Sequence, residues 1–184
     1  FSANVMGTVH VLDALRAASA RVAVVSITTD KVYENREWVH AYRETDRLGG
    51  HDPYSASKAA CEIAISSYRL SYFQGSQVAL ASARAGNVIG GGDWAEDRIV
   101  PDFVRAGLSG QRLQVRNPGA LRPWQHVLDP LAGYMLLAQQ LYAGKAEVET
   151  SFNFGPDAAA QRRVSEVLSS AQAHWPVAWD DKSD

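Results

Sequence analysis

The sequence predicts an open α/β fold, a mostly parallel sheet with helices packed on both faces. Three observations carry this. Helical and strand patterns alternate along the chain, as they do in βαβ proteins. The run RVAVVSI (Arg21–Ile27) is short, rich in β-branched residues and bounded by polar ones, as suits a strand covered on both faces. The 184 residues are 46% hydrophobic and 21% charged, which is globular composition with enough chain to bury a core.

Taken in order, residues 3–18 place Val5, Val9, Leu12 and Leu15 at helical spacing. Arg21–Ile27 is the first strand. Residues 28–52 are polar, include Gly49-Gly50, and read as a long loop. Residues 53–73 read as a helix: Asp52 can cap it, Pro53 suits its first position, and Ala59, Ala60, Ile63 and Ala64 follow. Gln77–Ala83 is a second strand, Gly86–Asp97 a glycine-rich loop, and Ile99–Leu108 a short helix. Leu113–Val115 reads as an edge strand, His126–Leu141 as a long apolar helix, and Ser151–Phe154 as a further strand.

No linker rich in Pro, Gly and Ser divides the chain, so a second domain must be interleaved with the first. The glycine fingerprint that opens a dinucleotide-binding fold is not found: Gly90-Gly91-Gly92 is the dense cluster, and no helix of the required spacing follows it. With no initiator Met and no finished element at the C-terminus, the expectation is an internal piece of a longer protein, with any phosphate-binding half upstream. Eighteen basic against twenty acidic side chains give a net charge of −2, which argues against a general binder of nucleic acid or anionic membrane. A bilayer-spanning run of about 18 apolar residues does not occur. The single Cys61 excludes a disulfide framework and a cysteine zinc site, and the five histidines are scattered, so no metal is expected. A reducing, cytoplasmic setting is the default.

Two constellations have chemical potential. In Tyr54-Ser55-Ala56-Ser57-Lys58, the spacing of four puts Tyr54 and Lys58 one turn apart on a helix face. An ammonium beside a phenol stabilises the phenolate, although the same spacing also arises in surface pairs. In Thr28-Thr29-Asp30-Lys31, a hydroxyl, a carboxylate and an amine follow a strand directly. Open α/β sheets bind ligands at such strand ends, and these groups can move protons; the bland alternative is a polar turn.

Together they resemble the extended short-chain dehydrogenase/reductase superfamily, whose Ser/Thr, Tyr and Lys occur in this order. The resemblance narrows over five runs: NVMGT (Asn4–Thr8), TTDKVYENREW (Thr28–Trp38), GGHDPYSASKAACE (Gly49–Glu62), ARAGNVIGGGDWAEDRIVPD (Ala83–Asp102) and RNPGALRPWQHVLDPLAGYMLLA (Arg116–Ala138). These are similar to the sugar-nucleotide 4,6-dehydratases that act on CDP-glucose. The likeness covers nearly the whole chain and thins after Gly155-Pro156.

The resemblance implies an NAD-dependent lyase of deoxysugar biosynthesis. The sugar is oxidised at C4, loses water across C5 and C6, and regains the hydride at C6, giving CDP-4-keto-6-deoxyglucose. Oxidation must come first, because the C5 proton is acidic only beside a C4 ketone. On this reading Tyr54 takes the O4 proton, Lys58 activates Tyr54 and binds the nicotinamide ribose, and Thr29 orients the sugar. Asp30 is the acid for the departing C6 hydroxyl. Lys31 stands where related dehydratases carry a glutamate base. It acts either as a neutral amine base or as a charged stabiliser of the enolate, and the sequence leaves this open.

Asn87, Arg98 and Arg122 fall in substrate-binding motifs; an amide can donate to a phosphate or hydroxyl, and guanidinium forks suit a diphosphate. Trp94, Trp124 and His126 read as pocket wall. By the resemblance Asn4 lies near Tyr54 and Lys58 and joins them in the cofactor site; the alternative is a simple helix cap. The implied domains are 1–86, the C-terminal part of an NAD-binding Rossmann domain, and 87–184, mostly substrate-binding, with segments around 126–155 returning to the first. A homodimer through the helices at 3–18 and 53–73 is also implied. The competing readings are a sugar-nucleotide epimerase or reductase of the same superfamily, which needs no acid for water loss, and a non-catalytic fragment.

Overall fold

The computed structural model describes residues 1–36, 38, 40–157 and 160–183. Glu37 of the TTDKVYENREW run and the terminal Asp184 lie outside them. In chain order the elements are α1 (Gly7–Leu15), β1 (Val22–Ile27), α2 (Pro53–Tyr68), β2 (Val78–Ala85), β3 (Asn87–Ile89), α3 (Ile99–Ser109), β4 (Leu113–Val115), β5 (Leu121–His126), α4 (Leu128–Tyr142), β6 (Ser151–Phe154), β7 (Gln161–Arg163), α5 (Val164–Gln172) and β8 (Trp179–Asp181). A π turn over Ser2–Met6 leads into α1, and another over Arg69–Phe73 ends α2. The chain divides into two compact units, Phe1–Gly86 with Asp129–Phe154, and Asn87–Leu128 with Gly155–Asp184.

The first unit is built on a parallel sheet of order β1-β2-β6, with Val22 opposite Val78 and Ser82 opposite Ser151. Successive strand residues point to opposite faces, so each strand feeds two cores. Val22, Val24, Val78 and Leu80 pack with Leu12, Cys61, Ile65 and Phe73 from the α1 and α2 side. Ala23, Val25, Ala79 and Ala81 pack with Leu137 and Leu141 of α4. Small alanines on that face let α4 approach closely. Gly133 of α4 is part of the same fit, since a Cβ there would lie 2.3 Å from the Phe154 ring. The α/β fold with helices on both faces is therefore the one expected. β1 differs in degree: both faces are covered, but its residues are only partly buried and Ile27 is 46% exposed. Among the described residues its one strand partner is β2.

The second unit holds a sheet of order β3-β5-β7, parallel then antiparallel, and a parallel pair β4-β8. Phe103 and Ala106 of α3, Leu113 and Val115 of β4, Leu168 of α5 and Val177 form its core. Three sequence expectations are corrected here. Residues 87–89 form a strand inside the expected glycine-rich loop. β5 runs through His126, so the long helix starts at Leu128. Pro130 falls in the first turn of that helix, where a missing N–H costs nothing. The chain after Phe154 continues into β7, α5 and β8, which the pattern did not predict.

Candidate active site

β1 ends in Ile27, and the chain turns at once. Thr29 is extended, and Asp30–Val32 form a single 3-10 turn. The turn is locally tied: the Lys31 amide donates to Thr29 Oγ1 at 3.3 Å, and Thr29 Oγ1 donates to Asp30 Oδ1 at 3.1 Å. Thr29 is buried, whereas Asp30 and Lys31 keep solvent access. Desolvation by the protein around the Asp30 carboxyl nevertheless raises its pKa, outweighing the Thr29 hydroxyl and the Lys31 charge. A carboxyl so shifted holds a proton more readily than an ordinary aspartate.

The turn packs on α2 through the residues that follow it: Val32 and Tyr33 bury against Ala59, with Tyr42 and Leu48 beside them. α2 starts where the sequence places it. Asp52 accepts from the amides of Tyr54 at 2.9 Å and Ser55 at 3.0 Å, Ser55 Oγ accepts from the Asp52 amide at 3.3 Å, and Pro53 takes the first position. Gly50 admits the loop against this helix end, because a Cβ there would sit 2.4 Å from the Ala56 backbone nitrogen. The Ser55 bonds lower the Asp52 pKa, and the positive charge of Lys31 adds to the effect, so the turn lies within electrostatic reach of the start of α2.

Tyr54 stands 49% exposed on the first turn, with Lys58 half-buried one turn later. Ser57 between them is 1% exposed and donates to the Tyr54 carbonyl at 2.7 Å, while Asn4 Nδ2 donates to Ser57 Oγ at 2.9 Å. Asn4 thus lies inside the first helical turn, not at a cap, and ties α1 to the segment carrying Tyr54 and Lys58.

The structure brings Asn4, Thr29, Asp30, Lys31, Tyr54 and Lys58 into the first unit. Asn87, Arg98 and Arg122 belong to the second. Asn87 is the first residue of β3, opposite Trp124, not a turn residue. Arg98 is exposed and pairs with Asp93 at 3.5 Å. Arg122, also exposed, donates to the Leu121 carbonyl at 2.9 Å. Trp124 Nε1 donates to the Arg162 carbonyl at 3.0 Å, and His126 Nδ1 accepts from the Leu128 amide at 3.2 Å. Among the described residues no group of three His, Cys, Asp or Glu could hold a metal ion, and no helix is long and apolar enough to cross a membrane.

A buried polar network escaped the sequence reading. Arg84 Nη2 lies 2.7 Å from Glu62 Oε2, with both side chains at 3% exposure or less. Glu62 also accepts from Thr28 and, at 2.8 Å, from Ser82. Arg84 donates to Tyr33 Oη at 2.7 Å and the Glu44 carbonyl at 3.1 Å, and Tyr33 donates to Asn153 at 2.6 Å. Two signals were present in the sequence: an acid four residues after Lys58, and an arginine interrupting the small apolar run of β2. A cavity of about 400 Å³ opens beside this network, between Glu44, Asp46, Glu62, Arg69 and Arg84; its lining includes neither Tyr54 nor Lys58.

A doubly wound parallel sheet with Tyr and Lys on the helix that crosses from β1 to β2 is the arrangement of Rossmann-type epimerases and dehydratases. Residues 1–155 match the model of the NAD dependent epimerase/dehydratase family, and the chain belongs to that family. It is 47% identical over 180 residues to CDP-glucose 4,6-dehydratase of Salmonella typhimurium, covering 95% of this chain and 50% of that enzyme. With dTDP-glucose 4,6-dehydratase of Streptomyces griseus it shares 29% over 175 residues, 94% of this chain and 50% of the relative. The crystal structure of dTDP-glucose 4,6-dehydratase from Bacillus anthracis in complex with NAD superposes with a TM-score of 0.82 at 23% identity, over 98% of this chain and 55% of that one, a likeness of fold. The chain thus spans about half the length of these relatives.

The family's cofactor can be tested against the residues present. Among the described residues the Tyr54 hydroxyl and the Lys58 ammonium make no hydrogen bond, and both are reachable from solvent. A free phenol and ammonium one turn apart fit the hydroxyls of a nicotinamide ribose.

Proposed function

We propose that this chain carries the proton-transfer half of a CDP-glucose 4,6-dehydratase, converting CDP-glucose to CDP-4-keto-6-deoxyglucose. The observation that carries the reading is the Thr29–Asp30–Lys31 turn packed on the helix of Tyr54 and Lys58. An epimerase or reductase needs a base at O4; a dehydratase also needs an acid for the C6 hydroxyl. Desolvation raises the Asp30 pKa, the direction that suits such an acid. The 47% identity to the Salmonella enzyme favours the cytidine nucleotide.

On this reading Tyr54 accepts the O4 proton, and Lys58 holds the phenolate and the ribose. NAD held by Tyr54 and Lys58 would supply the hydride acceptor for C4 and the hydride donor for C6. Thr29 donates to the sugar near O4. Lys31, at the same end of the sheet, removes the C5 proton as a neutral amine, or stays charged and stabilises negative charge at C5–C4 while another group takes that proton. Asp30 protonates the departing hydroxyl. Asn87, Arg98 and Arg122 bind the nucleotide diphosphate in the second unit. The apolar Val11, Ile63 and Leu70, exposed at 59%, 61% and 64%, support a homodimer through the helices at 3–18 and 53–73.

The test is Asp30→Asn in the complete gene product. General acid catalysis is worth about 10²–10⁴-fold, so formation of the 6-deoxy product should fall by that factor while C4 oxidation continues. In a single turnover the absorbance of reduced nicotinamide should therefore accumulate. Undiminished product release would remove Asp30 from the role. Inversion at C4 without a 6-deoxy product in the unaltered enzyme would replace the dehydratase reading with an epimerase.

A further inference from the structure

We propose that the buried Glu62–Arg84 pair is a positioning device: through Thr28 before the Thr29–Asp30–Lys31 turn and Tyr33 after it, it holds that turn in register with Tyr54 and Lys58. The inference rests on the reaction proposed above only for its kinetic arm.

The geometry is specific. Thr28 closes the β1 ladder, its amide donating to the Ala83 carbonyl at 2.8 Å, while its hydroxyl donates to Glu62. Tyr33, two residues past the turn, accepts from Arg84 at 2.7 Å and has the guanidinium 5.2 Å from its ring centroid. Both flanks of the turn therefore end on the same ion pair. Glu62 lies on α2 four residues beyond Lys58 and eight beyond Tyr54, so the three occupy successive turns. A shift of α2 along its axis would move Glu62 and the Tyr–Lys pair together, and would break the Thr28 and Arg84 bonds. The pair is fixed from behind as well: Ser82 joins Glu62 to Ser151 at 2.9 Å, and Asn153 joins Tyr33 to the carbonyl of Tyr42 at 2.9 Å.

Core stability alone does not call for this arrangement, because apolar side chains of similar volume usually serve a buried site as well as an ion pair or better. Directional bonds from the pair to Thr28, Ser82, Tyr33 and the Glu44 carbonyl provide what apolar contacts lack, a single allowed register. Desolvation opposes both charges, but the hydrogen bonds prevail: the Glu62 pKa is lowered by Arg84, Thr28 and Ser82, and that of Arg84 is raised by Glu62 and Tyr33. Both groups stay ionised, and the bonds keep their charge-assisted strength.

The test compares Thr28→Val, which removes the hydroxyl and keeps the shape, with Thr28→Ser, which keeps the hydroxyl and loses a methyl. Both variants leave Glu62 and Arg84 paired, so both should fold, with a modest fall in Tm. In the complete gene product Thr28→Val should lower kcat by about 10–100-fold with KM for CDP-glucose nearly unchanged, since misplacing reacting groups by about 1 Å has an effect of that order. Thr28→Ser should retain wild-type kcat. Hydrogen–deuterium exchange of peptides spanning 28–34 should accelerate in the valine variant alone, with α2 unchanged. Serine losing as much activity as valine, or unchanged exchange in the valine variant, would overturn the inference. If the unaltered enzyme makes no 6-deoxy product, the proposed reaction falls, and the exchange comparison still decides the positioning role.

Discussion

Breaking the Glu62–Arg84 pair from its two ends should have different consequences, and the difference follows from which partner can discharge itself. Glu62→Gln leaves Arg84, 3% exposed, facing only the Tyr33 hydroxyl and the Glu44 carbonyl. A guanidinium cannot be deprotonated in a protein, so an uncompensated charge stays buried, at a cost of about 3–5 kcal/mol. With a urea slope of about 2 kcal/mol per M for a small protein, the midpoint should fall by about 1.5–2.5 M. Arg84→Met leaves the Glu62 carboxylate with Thr28 and Ser82, and this group can take up a proton. Its folded pKa then rises above the unfolded value of about 4.3. Between those two values the folded state binds more protons than the unfolded, so stability recovers as pH falls, by up to about 1.4 kcal/mol per unit. In the wild type the folded Glu62 pKa is lowered, so its contribution is complete above the unfolded value and is lost only as pH falls through the folded one. Urea titrations followed by tryptophan fluorescence at pH 7 and pH 5 should show Arg84→Met closing on the wild type at the lower pH, and Glu62→Gln keeping its distance. Equal pH dependence in the two variants, or a Glu62→Gln loss below about 1 kcal/mol, would refute the assignment of a buried ionised pair.

Tyr54→Phe should reduce turnover of the complete gene product by about 10²–10⁴-fold while leaving binding of the sugar nucleotide intact. Its hydroxyl makes no hydrogen bond among the described residues, so Tm should not move; a wild-type kcat would exclude Tyr54 as the base. Sedimentation velocity should show a dimer that Ile63→Glu dissociates, and an unchanged sedimentation coefficient would place the interface elsewhere.

What could be read from the sequence divides by the range of the interaction. α2 was legible because its determinants are adjacent residues: Asp52 caps, Pro53 pre-sets the backbone, and Tyr54 and Lys58 share a face by spacing alone. The two-faced burial of β1 and β2 follows because successive residues point to opposite faces and the stretches Val22–Val25 and Val78–Ala81 are apolar at both. β3, β5 and β7 were not legible. β3 and β7 have three residues each, β5 contains Pro123, and their pairing joins segments tens of residues apart, such as Asn87 with Trp124 and Leu121 with Arg163. Local propensity carries no information about such partners. The Thr29–Asp30–Lys31 turn was found from its place after a strand, but its ties to Glu62 and Arg84 were hidden, since an isolated acid in a helix ordinarily reads as solvated.

The same contrast bears on how the proposed site is organised. Tyr54 and Lys58 owe their mutual geometry to the helix, and any sequence that forms α2 keeps them one turn apart. Thr29, Asp30 and Lys31 have no such guarantee, because a 3-10 turn after a strand is held by few bonds of its own: the Lys31 amide to Thr29 at 3.3 Å, and the Thr29 hydroxyl to Asp30 at 3.1 Å. On the proposed reaction the turn is what sets a dehydratase apart from an epimerase, since Asp30 would supply the acid for water loss. Glu62, Arg84, Thr28 and Tyr33 tie the flanks of this turn to α2, so its register does not depend on the side chains of Thr29, Asp30 and Lys31 alone. The buried charge then has a physical rationale in positioning, which an apolar core at the same place would not provide.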